Sequence, residues 1–118
     1  MLASVAASAA AARALGYRGL AELIEQENIS PRAIARLFAM TSSRASRAGC
    51  SRDCVVVLLA GALGRLRACP EGWDGEDERR LALEALAGEP DPKGVLVKLS
   101  REANRILSEH WQEIAAAA

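Results

Sequence analysis

The side chains of this sequence whose chemistry goes beyond packing are few and unevenly spread. Between residues 29 and 70 there are seven arginines and a single acid, Asp53. Guanidinium groups at that density suit phosphate, because their planar fork of N–H donors matches its oxygens. Cys50 and Cys54 stand at C-x3-C spacing, with Cys69 and a lone His110 far downstream, so four zinc ligands can be written on paper. The paired short spacings of zinc folds are absent, however, and Cys54 opens an apolar run where a buried thiol fits well. Three cysteines, an odd number without a clear secretory signal, argue against a disulfide framework. Arg105 and His110 share one helix at R-x4-H spacing, but many helices meet that spacing and His110 also reads as a residue flanking an apolar stripe. No Gly-rich phosphate loop, G-x-S-x-G elbow or paired-carboxylate arrangement occurs, and the expectation is a non-enzyme with no metal and no cofactor.

The elements that must position these groups are helices. The chain has 118 residues, 25 of them Ala, and aromatic residues make only 3% of it, so bulk must come from Leu, Ile and Val in closely packed helices. Gly16 and Gly19 interrupt the first Ala-rich stretch, which predicts one helix over about Ser4 to Leu15 and another over about Leu20 to Asn28. Ser30 is a good N-cap and Pro31 suits the first helical position, so a helix restarts there with Ile34, Leu37 and Phe38 recurring at helical spacing, and the packing of a helix-turn-helix would take Ile34, Ala35, Phe38, Met40, Ala45 and Ala48 as its inside positions. That helix is expected to stop near Ala39 and Met40. Thr41 would then cap a short helix closed by Gly49, and Ser51 would cap a third running through Val55, Leu58, Leu59, Ala62 and Leu66. Cys69 to Gly75 is the densest turn cluster. Beyond it the pattern predicts helices over Glu76 to Ala87 and Lys93 to Ala116.

The formal net charge of zero hides a division. Residues 1 to 70 carry +5 and residues 71 to 118 carry −5, an asymmetry that points to nucleic acid on the basic side as well as to ordinary solvated helix faces. Residues 1 to 21 contain no acid and two arginines, a composition shared by transit peptides and plain Ala-rich helices; Met1 to Ala12 has no side-chain charge and reads as a helix. No run of 18 apolar residues occurs, so no membrane span is expected and the reading is of a cytoplasmic protein. The organisation is an Ala-rich N-terminal helix (1–17), a helix-turn-helix portion (18–69) and an acidic C-terminal helical pair (70–118) for packing or dimerisation. The fold class is all-α, a compact multi-helix bundle containing a helix-turn-helix with a C-terminal helical extension.

The stretch Ile29 to Ala48, ISPRAIARLFAMTSSRASRA, followed by VVLLAGALG, resembles the phage-repressor or Xre class of helix-turn-helix domain over about residues 21 to 64. Pro31, Ala39 and Ala45 stand where that pattern usually has Gln, Gly and a larger apolar residue. The resemblance implies a sequence-specific DNA-binding protein, a small bacterial or phage transcriptional regulator. It places base reading on Ser42, Ser43, Arg44 and Arg47, and phosphate contacts on Arg32, Arg36, Thr41 and Arg52. The Arg105 to His110 spacing also resembles that of the metal-independent HEPN ribonucleases.

The last helix places Leu99, Ile106, Leu107, Trp111 and Ile114 on a stripe broader than the preceding short helix can cover. Either the N-terminal helix folds back onto it or a second chain does so, and the homodimer is the preferred expectation because it would span adjacent half-sites on double-stranded DNA. The rival expectation is a non-catalytic helical adaptor or inhibitor that binds another protein through a degenerate helix-turn-helix or its acidic helices.

Overall fold

Alanine and glycine set how closely the helices approach. The structure, a computed structural model, describes residues 2–41, 47–69 and 75–117. Among them are six helices and no strand: α1 (Ala3–Ala14), α2 (Arg18–Glu27), α3 (Pro31–Thr41), α4 (Arg47–Ala68), α5 (Glu76–Ala85) and α6 (Pro92–Ala117). The all-α bundle is therefore as expected. In α1, seven consecutive or near-consecutive small residues are buried, from Val5 to Ala12. It lies antiparallel to α4, with Ser8 beside Val57 and Gly61, and Ala7 beside Gly64. A Cβ added at Gly61 would run into the Ser8 hydroxyl and sit 3.3 Å from the Ser4 carbonyl oxygen; one at Gly64 would overlap the Ala7 methyl. The two backbones meet because neither side presents bulk. The Ser8 hydroxyl, buried by this approach, donates to the Val57 carbonyl at 3.3 Å, which satisfies the one buried polar side chain among the described residues.

The turn after α1 explains its abrupt end. Gly16 has φ +94°, Gly16 N donates to the Arg13 carbonyl, and Tyr17 N donates to the Ala12 carbonyl at 2.8 Å. This pair of bonds is a Schellman closure, which needs the left-handed conformation that glycine adopts without steric cost. Tyr17 then packs edge-on against Phe38 of α3, ring centroids 5.1 Å apart, while its hydroxyl donates to the Asp53 carboxylate at 2.6 Å.

Helix α4 is the hub. Every residue from Cys54 to Ala62 is buried, against α1, α6, α5 and α3, as expected of a helix that is apolar all round. It also departs from expectation. Gly49 and Ser51 do not break the chain into separate helices: α4 runs from Arg47 through both. A glycine inside a helix costs only about 1 kcal/mol, less than the burial of one Leu or Ile side chain at about 1.5–3 kcal/mol, so the apolar run downstream carries the helix through. At the other side of the junction, Thr41 is the last residue of α3 rather than the cap of a new helix.

Helix α6 lies beside α4 in the same direction, with Leu96, Leu99, Ala103, Ile106, Leu107 and Ile114 buried. The chain's own α1 and α4 cover this stripe. The N-terminal helix thus folds back, and the stripe gives no reason to expect a second chain. The reason is the width of α1: with mostly Ala and Ser on its buried faces it fits between α4 and α6 and touches both.

Candidate nucleic-acid interface

Helix α3 positions the basic side chains that the sequence singles out. Ser30 caps it as expected: its hydroxyl accepts from Ala33 N at 3.2 Å, and its carbonyl accepts from Ile34 N at 3.0 Å. Ile34 and Phe38, one turn apart, are buried on the side that meets α4 and α5. The opposite side carries Arg32, Arg36 and Met40, spaced by four residues and all exposed, Met40 to 81%.

The two arginines differ from most others in what they touch. Arg13 is paired with Glu25 at 2.7 Å and Arg80 with Asp77 at 2.7 Å. Arg67 donates to Asn104 and Ser108 and lies 5.0 Å from the centre of the half-buried Trp111 ring. Arg32 and Arg36 have no hydrogen-bond or ion-pair partner among the described residues. They are exposed cations one turn apart on α3.

Arg52, the third arginine that the resemblance assigns to phosphate, is engaged. Its Nε and Nη2 donate to both oxygens of Glu89 at 3.0 and 3.2 Å. The hydrogen bond to Glu89 raises the guanidinium pKa, and the same bond holds the Glu89 carboxyl below its ordinary value. To reach a phosphate, Arg52 would have to exchange a bidentate carboxylate for it. Ser42, Ser43 and Arg44 lie outside the described residues, as do the side chains of Thr41, which ends α3, and Arg47, which opens α4. Of the five residues placed on the C-terminal stripe, Leu99, Ile106, Leu107 and Ile114 are buried and Trp111 is half-buried.

Among the described residues the competing constellations are not assembled. Arg105 is held by Glu102 and Glu109, donating to Glu109 at 2.6 Å, and these two carboxylates raise its pKa further. His110, half-exposed, faces Glu113 at 3.5 Å. Cys54 is buried and Cys69 exposed, neither of them in a disulfide, and no group of three metal-ligating side chains occurs among the described residues. No helix among them is long and apolar enough to cross a membrane.

One feature has no counterpart in the sequence reading. Below the start of α3 lies a cavity of about 220 Å³, floored by Val5, Ile24, Ile34 and Leu58. It adjoins a second hollow of about 420 Å³ that is lined by Arg32 and by the acidic first turn of α5. Ser30, Pro31, Arg65 and Glu78 belong to both. These residues come from five helices and the loop before α3, so no local pattern announces them. Comparison with protein-family models, with curated proteins and with solved structures found no match for this chain.

Proposed function

We propose that this chain binds double-stranded DNA, laying the exposed edge of α3 along the phosphate backbone, with base contacts falling to the segment that joins α3 to α4. The observation that carries this reading is the Arg32 and Arg36 pair, exposed one turn apart and without a hydrogen-bond or ion-pair partner among the described residues, on the helix that precedes Arg44 and Arg47 in the sequence. Solvated guanidinium groups lose little on meeting phosphate and release its condensed counterions. A small bacterial or phage transcriptional regulator is the role that suits such a chain. A labelled mixed-sequence duplex at low salt tests it by fluorescence anisotropy: the wild type binds, and R32A/R36A binds about tenfold or more weakly, as the loss of two charge-assisted contacts implies.

A second reading is favoured by Met40 and by α4. An apolar side chain exposed to 81% at the end of a basic edge suits a protein groove, and the passage of α4 through Gly49 leaves no separate recognition helix ending there. On this reading the chain is an adaptor or inhibitor, no duplex is bound at any salt, and M40A weakens capture of the partner. On the DNA reading, M40A leaves duplex affinity within about threefold of wild type, since an apolar side chain neutralises no phosphate.

A further inference from the structure

The cavity beneath α3 has the chemistry of a small-molecule site. Its floor is aliphatic and buried: Val5, Ile24, Ile34 and Leu58. Its wall contains Glu78, one of whose carboxylate oxygens, Oε2, is shielded from solvent and accepts no hydrogen bond. Glu78 lines both hollows, so an ammonium group seated there meets its carboxylate, a charge-assisted pairing. The mouth carries both signs of charge, with Arg32 and Arg65 facing Glu76, Asp77 and Glu78 across the adjoining hollow. A bare cation would be repelled by the arginines and a bare anion by the carboxylates. An aliphatic floor with a few convergent polar groups is the usual make-up of a ligand pocket, and this one is smaller than the roughly 300–1,000 Å³ of pockets for drug-sized molecules.

We propose that this cavity binds a small zwitterion with an aliphatic body, an apolar free amino acid, with its ammonium on Glu78, its carboxylate toward Arg32 and Arg65, and its side chain on the Ile24, Ile34 and Leu58 floor. Binding breaks and forms no covalent bond. The site shares Arg32 with the proposed duplex contact, and its test needs no DNA. L-leucine, isocaproate and isopentylamine are titrated separately into the full chain, following the methyl resonances of Ile24, Ile34 and Leu58. Leucine gives saturable shifts, and each singly charged analogue binds about tenfold or more weakly. E78Q keeps the wild-type spectrum in the absence of ligand and weakens leucine by a similar factor, while E84Q, on the exposed side of α5 and outside both hollows, does not. Should E78Q fail to fold, the wild-type comparison of leucine with isocaproate still decides. Absence of saturable shifts with leucine, an equal response to isocaproate, or undiminished binding by folded E78Q overturns the proposal.

Discussion

Arg52 and Glu89 are joined by two parallel hydrogen bonds, 3.0 and 3.2 Å, that tie the start of α4 to the connection between α5 and α6 across 37 residues of sequence. Because the folded state holds the Glu89 carboxyl below its ordinary value, the pair stabilises the fold above the unfolded carboxylate pKa of about 4.3. That contribution is lost as pH falls through the lower, folded value. E89Q is expected to lower the unfolding temperature at neutral pH and to flatten its fall between about pH 5 and pH 2. Melting curves across that range check both. In the DNA reading the same variant releases Arg52, so duplex affinity at low salt is expected to rise.

The contact between α1 and α4 admits almost no added volume. Gly61→Val and Gly64→Val each place branched carbons where Ser8 and Ala7 already stand. Overpacking of this kind costs about 1–3 kcal/mol, and more where backbone must shift. Urea unfolding is expected to show a lower midpoint for each with an unchanged slope. Ser8→Ala, which leaves no donor unsatisfied and removes only the 3.3 Å bond to Val57, is expected to cost less, about 1 kcal/mol.

Local signals in the sequence account for most of the fold. Ser30 followed by Pro31 marks the start of α3, Gly16 marks the end of α1, and the spacing of Leu96, Leu99, Ala103, Ile106 and Leu107 marks the buried face of α6. What misled was the weight given to short-range punctuation within a strongly apolar region. Gly49 and Ser51 look like a stop and a cap, yet burial of Cys54 to Ala62 outweighs them. Partnerships distant in sequence had no signature. Nothing near Arg52 indicates that Glu89 engages it, and nothing near Glu78 indicates an aliphatic cavity floored by residues of α1 to α4. The basic α3 edge was legible because exposure of Arg32 and Arg36 follows from the burial of Ile34 and Phe38 on the same helix, whereas Met40, expected on the inside, shares that exposed edge because it lies one turn beyond Arg36.

The C-terminal helix belongs to the core of the chain. Ile106→Ala is expected to cost about 2–5 kcal/mol, as for other large-to-small changes at buried sites, because Ile106 is 2% exposed within the bundle. Truncation after Gly88 strips α6 from α1 and α4 and is expected to give an unfolded or aggregated product. Circular dichroism and solution mass check this. A folded, monodisperse product would mean that the first five helices form a core alone.

The salt dependence of duplex affinity tests the central claim most directly, because it counts phosphates rather than contacts of any kind. For each phosphate neutralised, log K against log salt gains a slope of about −0.9. The wild type is expected to show a steep negative slope, and R32A/R36A a slope shallower by about 2 together with uniformly weaker binding to unrelated sequences. Absence of duplex binding at low salt, or identical slopes for wild type and R32A/R36A, would contradict the placement of α3 on the phosphate backbone.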